Sequence, residues 1–125
     1  MKLSLHEVET GVSNLAEGRA FYSQLLGDTL AVDQPALAVW NAGLPGLDFN
    51  LSTHLPAGVV CISFLTSSLD EVIEKLQLMG VDYTPARPSH LGMLSISFRD
   101  PAGLLIKVNM PTEASPEWLR QTPEK

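Results

Sequence analysis

Cysteine, basic residues and long hydrophobic runs are all scarce in this sequence, and each shortage argues against a class of protein. One cysteine among 125 residues cannot form an internal disulfide, and no signal-like leader is recognisable, so the sequence predicts a cytoplasmic protein. No apolar run approaches the ~20 residues of a membrane-spanning helix. The 8 Lys and Arg against 14 Asp and Glu give a net charge of −6, which argues against nucleic acid. We therefore expect a small-molecule ligand, with no nucleic acid or membrane as partner.

The length and the hydrophobic content are those of one compact domain. With 45% hydrophobic residues, a chain of this length can bury one core and is too short for two independent domains of ordinary size. We expect a single domain over 1–125, made of a first module (3–54), a second module (58–110) and a C-terminal tail (111–125). An internal repeat is the reason for this division.

Two similar halves follow one another along the chain. Asn14 lies three residues before Glu17, and Ser68 three residues before Glu71, which is the spacing of a capping box at a helix start. These boxes, and the small-residue turns at 43–46 and 100–103, recur at an offset of about 55 residues, as in a two-fold repeat. Each half therefore predicts a strand, a helix and three more strands.

Hydrophobic spacing places these elements along both halves. Helices are predicted at 14–26 and 68–79, where apolar residues recur on one helical face. Strands are predicted at 3–12, 29–32, 36–41, 47–52, 59–65, 83–87, 93–98 and 104–109. A short helix capped by Ser115 follows in the tail. The predicted fold class is α+β, with two tandem βαβββ modules.

Two segments at these positions resemble a known superfamily. The segments read AFYSQLLG at 20–27 and FRDPAG at 98–103, and in this order they are similar to the vicinal oxygen chelate superfamily. That superfamily includes glyoxalase I, bleomycin-resistance proteins and extradiol dioxygenases. The resemblance covers roughly residues 3 to 110, and it implies a curved mixed sheet with a central cleft. It also implies a homodimer.

The resemblance also implies four positions for ligands to a divalent metal. Matched by motif, these positions carry Glu7, Asn50, Cys61 and Lys107. Metal-using relatives have His, Gln or Glu there, because the metal needs lone pairs. The Lys107 ammonium offers three donors and no acceptor, so it would repel a cation. We therefore expect neither a metal nor another cofactor, and His6, His54 and His90 are expected to be ordinary surface or core residues.

Strand alternation predicts a polar interior in place of the metal. Side chains two positions apart share a face, and Glu7 and Glu9 therefore point the same way. The equivalent faces of the other strands carry Asp48, Asn50 and Ser52, then Cys61 and Ser63, then Leu105, Lys107 and Asn109. Buried charges normally pair, so Glu7 and Lys107 are predicted to form an ion pair, either as a ligand-recognition device or as the remnant of a metal site.

Two kinds of function remain open at this stage. The first is a metal-free protein that binds a small molecule, with a cationic or aromatic ligand as the candidate. Its predicted ligand-binding residues are Glu7, Glu9, Trp40, Asp48, Asn50, Cys61, Ser63, Lys107 and Asn109, with Trp40 either stacking on the ligand or packing in the core. The alternative is a metal-independent lyase or isomerase, rather than a dioxygenase, in which Glu7 is a general base and Lys107 stabilises negative charge. The sequence favours binding.

Overall fold

A computed structural model describes residues 3–41 and 46–120 of the chain. Over these residues the elements are β1 (Ser4–Gly11), α1 (Leu15–Leu26), β2 (Val32–Gln34), β3 (Leu37–Asn41), β4 (Asp48–Ser52), β5 (Val60–Leu65), α2 (Leu69–Met79), β6 (Arg87–Pro88), a 3-10 turn (His90–Gly92), β7 (Leu94–Arg99), β8 (Leu105–Met110) and α3 (Glu117–Arg120). None of the described helices has the length and apolar character needed to span a membrane.

Both long helices begin where the capping boxes predict. The Asn14 side chain accepts a hydrogen bond from the Glu17 backbone N–H at 3.1 Å, and the Ser68 hydroxyl accepts one from the Glu71 N–H at 3.3 Å. Each bond satisfies a backbone donor that the first turn of a helix leaves without a partner. Helix α2 ends at Gly80, whose backbone is left-handed with φ 71°. The two helix predictions are confirmed.

The chain divides into two compact units. Over the described residues, the first unit consists of 6–41 and 46–61, and the second unit consists of 3–5 and 62–120. In the first unit the strand order is β2-β3-β4-β1. Strands β3 and β4 are antiparallel, whereas β1 and β4 are parallel. Helix α1 covers one face of this sheet through a core of Leu15, Ala38, Trp40 and Leu51.

The second unit repeats this arrangement with the strand order β5-β8-β7-β6. Helix α2 contributes Leu69, Val72 and Leu76 to a core that includes Ile96 of β7 and Val108 of β8. The predicted fold class, α+β with two tandem βαβββ modules and mixed parallel and antiparallel pairing, is confirmed. The module boundaries and the tail boundary stay a prediction.

Two predicted strands differ from the observed ones because of proline. The strand predicted at 29–32 is Val32–Gln34, since a two-residue turn at 35–36 pairs Gln34 directly with Leu37. The strand predicted at 83–87 shrinks to Arg87–Pro88, and Pro85, which has no N–H to donate to a ladder, lies in the part that does not form. Most of the predicted turn at 43–46 lies outside the described residues.

Candidate functional site

One face of the first unit's sheet is polar and buried. Phe49 and Leu51 of β4 point toward α1, so the alternate residues of β4 occupy the opposite face. The parallel register places Glu9 beside Asn50, and side chains of register partners stand together on one face. Glu7 is 2% exposed and Glu9 1% exposed. The predicted sharing of a face by Glu7 and Glu9 is therefore consistent with the β1–β4 register.

Each of these carboxylates receives a short hydrogen bond from β4. The Asn50 Nδ2 donates to Glu7 Oε2 at 2.7 Å, and the Ser52 hydroxyl donates to Glu9 Oε2 at 2.5 Å. Hydrogen bonds to a carboxylate are shorter and stronger than those between neutral groups. Carboxylate oxygens of Glu7 and Glu9 lie within 4.8 Å of one another. We define Glu7, Glu9, Asn50 and Ser52 as the acidic face.

Two acceptor atoms of the acidic face have no hydrogen-bond partner among the described residues of their own unit, 6–41 and 46–61. They are Glu9 Oε1 and Asn50 Oδ1. The orientation of the Asn50 amide follows from chemistry, because a carboxylate oxygen can accept only from the nitrogen side. A buried polar atom without a partner costs about 1–3 kcal/mol. The acidic face therefore offers acceptor atoms to a donor that is not part of this unit.

His6 and Asp48 adjoin the acidic face. His6 Nδ1 lies 3.9 Å from Glu7 Oε2, and His6 Nε2 lies 4.0 Å from Asp48 Oδ2. Burial raises the pKa of the Asp48 carboxyl above its ordinary value of 3.8, His6 opposes this increase, and the charge of Glu7 adds to it. Sequence alternation placed His6 on the face opposite Glu7 and did not reveal its proximity to both carboxylates. The adjacency of His6 and Glu7 in the sequence was the available signal.

Asp48 also lines a cavity of about 620 Å³. The cavity walls include Val8, Tyr22, Leu26 and Phe49, and the rings of Tyr22 and Phe49 lie 4.9 Å apart. Burial of the Asp48 carboxyl removes part of its hydration, and this loss of hydration is the largest cause of the raised pKa. Asp48 is therefore placed where its charge costs stability.

Replacing Asp48 with asparagine is expected to stabilise the protein slightly at neutral pH. A carboxyl whose pKa is raised by folding lowers stability when it is ionised, and this penalty disappears as the pH falls through the raised pKa toward 3.8. The melting temperature of Asp48→Asn should therefore exceed that of the wild type at pH 7, and the difference should vanish in acid. Thermal melts across pH would test this. The exposed Asp82, changed to asparagine, is the matched control, and an Asp48→Asn variant that melts lower at pH 7 would contradict the expectation.

The second unit also has a polar strand face. Ile106 and Val108 of β8 are buried residues, and Val108 contributes to the α2 core, so Lys107 and Asn109 occupy the alternate face. Lys107 is half-buried, and its Nζ donates to the Ser89 hydroxyl at 3.4 Å. The Asn109 Oδ1 accepts from the Ser95 hydroxyl. The Ser63 Oγ is buried and has no partner among residues 3–5 and 62–120. Ser63, Lys107 and Asn109 stay predicted ligand-binding residues, and the Glu7–Lys107 ion pair stays a prediction.

Trp40 and Cys61 have surroundings typical of core residues. The Trp40 ring is 2% exposed, its centroid lies 5.9 Å from that of Tyr22, and its Nε1 donates to the Gly27 carbonyl at 3.1 Å. Packing, one of the two roles that the sequence left open for Trp40, accounts for this position. The Cys61 thiol is fully buried, as expected for an unreactive cysteine.

The four positions at which the resemblance implies metal ligands do not carry a suitable donor set. The Asn50 Nδ2 already occupies Glu7 Oε2, and Lys107 carries an ammonium with no lone pair. A divalent metal would need the acceptor that a carboxylate supplies in relatives at that last position. The chemistry of these residues therefore does not fit the metal of the superfamily.

No protein-family model matches the sequence, and no characterised protein matches it at the sequence level. Solved structures do match its fold. A NAD-dependent benzaldehyde dehydrogenase from Legionella pneumophila is similar with a TM-score of 0.72 and 19% identity, covering 85% of this chain and 98% of the other. A methylmalonyl-CoA epimerase from Mycobacterium tuberculosis is similar with a TM-score of 0.73 and 18% identity, covering 87% and 88%. The Streptomyces coelicolor methylmalonyl-CoA epimerase in complex with 2-nitronate-propionyl-CoA has a TM-score of 0.70 and 16% identity, covering 90% and 99%.

These matches confirm the fold that the resemblance implies. The chain has the vicinal oxygen chelate fold over most of its length. At identities of 16–19%, the likeness extends to the fold and not to the activity. The predicted homodimer and the predicted cytoplasmic location stay predictions.

Proposed function

We propose that this protein is a metal-independent isomerase or lyase that removes a proton from a carbon beside a carbonyl group, with Glu7 as the base. The observation that carries the proposal is the buried Glu7 carboxylate, held through Oε2 by the Asn50 amide at 2.7 Å. A general base must be held in one place, because proton transfer requires hydrogen-bond reach to the reacting atom. The sequence favoured a binding protein over an enzyme. The fold comparisons support the enzyme alternative better than the binding protein.

The chemistry asked of Glu7 is a simple proton transfer. Glu7 takes the proton, the C–H bond breaks, and its electron pair moves into the carbonyl to give an enolate. Returning a proton from water or another acid to the opposite face of the carbon yields the epimer, whereas loss of a leaving group yields a lyase product. The Asn50 amide holds the carboxylate that takes this proton in one position.

The epimerases of similar fold support this class of reaction. Epimerisation exchanges a proton at a stereocentre, which is the step assigned here to Glu7. Because the sequence identity to these epimerases is low, we do not propose that this protein binds the coenzyme A portion of their substrates. Stabilisation of the enolate by Lys107, the role that the sequence predicts for this residue, stays a prediction.

Glu7→Gln is the variant that tests the proposal. Glutamine keeps an oxygen that accepts from Asn50 but cannot take up a proton, so the fold should persist while the activity falls by about 10²–10⁴-fold. Proton NMR in D₂O would measure exchange of the acidic C–H in a panel of small carbonyl compounds. The exposed Glu74, changed to glutamine, provides the same change of charge and should leave exchange intact. Exchange by a folded Glu7→Gln variant at the wild-type rate would refute the role of Glu7.

A second candidate is a binding protein without chemistry, and one observation favours it. The two acceptors without partners in the first unit, Glu9 Oε1 and Asn50 Oδ1, could hold a ligand whether or not a proton moves. A wild-type protein that retains a ligand through purification yet exchanges no C–H would support this candidate. Mass spectrometry of the purified protein together with the D₂O measurement separates the two functions.

A further inference from the structure

We infer that the acidic face binds a primary ammonium group of the substrate, with Glu9 Oε1 and Asn50 Oδ1 as its hydrogen-bond acceptors. This inference rests on the proposed function, because it names the class of substrate presented to Glu7. The substrate class is a small carbonyl compound that also carries a protonated amine.

The position of the two open acceptors carries the inference. Glu9 and Asn50 are register partners in the β1–β4 pair, so their side chains lie side by side. The second polar atom of each side chain is already used, since Ser52 donates to Glu9 Oε2 and the Asn50 Nδ2 donates to Glu7 Oε2. What remains is one carboxylate oxygen and one amide oxygen, both fully buried and without a partner in the first unit, over 6–41 and 46–61. Either a hydrogen-bond donor or a cation can satisfy both atoms.

Charge decides which donor suits the acidic face. The carboxylate oxygens of Glu7 and Glu9 are within 4.8 Å of one another, and two buried negative charges at this distance repel strongly. A neutral hydroxyl or amide would satisfy the acceptors without offsetting this repulsion. A primary ammonium brings a positive charge and three donors, which matches two open acceptors beside a neighbouring carboxylate.

A divalent metal is a poorer match to the same atoms. Magnesium and zinc require several lone-pair donors at about 2.0–2.2 Å in a fixed geometry. Glu7 Oε2 and Glu9 Oε2 each already accept a hydrogen bond from a side chain of β4, so a metal at these two oxygens would compete with those donors. An ammonium accepts the looser geometry of about 2.7–2.9 Å hydrogen bonds to charged partners.

The same arrangement connects binding to chemistry. Asn50 donates to the proposed base through Nδ2 and offers Oδ1 to the ammonium. The base and the ammonium site therefore lie at the two ends of the same amide group. A substrate held this way has its amine close to the carbon that faces Glu7, because carboxylate oxygens of Glu7 and Glu9 lie within 4.8 Å of one another. An ammonium at that distance withdraws electrons from the C–H bond and makes its proton easier to remove. Amino-carbonyl compounds should therefore exchange faster than their analogues without an amine.

Simple amines test the binding step separately from catalysis. Methylammonium chloride should raise the melting temperature of the wild type in a saturable way, because a ligand confined to the native state stabilises it according to its affinity. Tetramethylammonium chloride at the same concentration has the same charge but no N–H donor, and should have no such effect. Magnesium, manganese and zinc chlorides at matched ionic strength should also leave the melting temperature unchanged.

Variants of Glu9 assign the effect to the acidic face. Glu9→Gln keeps an acceptor for Ser52 but turns a donor toward the amine, and should weaken methylammonium binding at least tenfold. Glu9→Asp keeps the charge and withdraws the oxygens by one methylene, so it should also weaken binding and serves if Glu9→Gln does not fold. Glu74→Gln should bind as the wild type does. Equal shifts with both ammonium salts, no shift with methylammonium, or saturable stabilisation by a divalent metal would each overturn the inference.

The two proposals fail in different ways. Methylammonium binding without any C–H exchange would remove the proposed reaction and leave the ammonium site standing. Exchange of carbonyl compounds that depends on Glu7, with no preference for those carrying an amine and no methylammonium binding, would remove the ammonium site alone.

Discussion

Replacing Gly11 with alanine is expected to destabilise the protein by more than about 3 kcal/mol, a large part of the roughly 5–15 kcal/mol that stabilises an ordinary domain. An added Cβ would lie 2.0 Å from the Pro56 carbonyl oxygen and 2.6 Å from that of Leu55. Both neighbours are backbone atoms, so no side-chain rotation can relieve the overlap. The Gly11 N–H donates to the Val59 carbonyl at 2.9 Å, and the Gly11 carbonyl accepts from Gly58 at 3.0 Å. These bonds hold the crowded segment in place.

Gly18→Ala is the matched control for Gly11→Ala. Its Cβ would meet the flexible Leu51 Cδ1 at 3.0 Å, and alanine inside a helix is favoured over glycine by about 1 kcal/mol. We therefore expect the two terms to offset, with a net change below about 1 kcal/mol. Urea unfolding followed by circular dichroism would measure both variants. A Gly11→Ala protein as stable as Gly18→Ala would contradict the close approach at the end of β1.

Replacing Asn50 with leucine is expected to cost about 3 kcal/mol, the second large effect. Leucine fills a similar volume but removes the amide that donates to Glu7 Oε2 at 2.7 Å. Glu7 is 2% exposed, so water does not readily replace the lost donor. Losing a hydrogen bond to a charged buried group costs more than losing one between neutral groups.

A double-mutant cycle tests whether this cost belongs to the Asn50–Glu7 pair. The cycle compares Asn50→Leu, Glu7→Leu and the double variant by urea unfolding. Because the double variant has neither the carboxylate nor its donor, it should be less destabilised than the sum of the two single variants. Additive costs would mean that the 2.7 Å contact contributes nothing specific to stability.

Local patterns in the sequence sufficed for the helices and for the polar strand faces. The capping pairs Asn14 with Glu17 and Ser68 with Glu71 act within one turn of chain, so their spacing alone locates both helix starts. The alternation that groups Glu7 with Glu9 is likewise a property of a single strand. The bounds of the sixth strand were harder to predict. The residue pattern at 83–87 is that of a strand, but Pro85 has no N–H to donate to a neighbouring strand, and only Arg87–Pro88 forms β6.

The sequence by itself therefore determined the two βαβββ modules and the residues of the acidic face, since periodicity, caps and turns depend on neighbours along the chain. Only the tertiary structure decided what those residues do to one another. The parallel register of β1 and β4 brings together side chains that are 43 positions apart in the sequence. Asn50 donates a hydrogen bond to Glu7, and Ser52 donates one to Glu9. A register shift of one residue would reverse which side chains share a face, and no local pattern records it. The two acceptors left open on the acidic face are a consequence of that register.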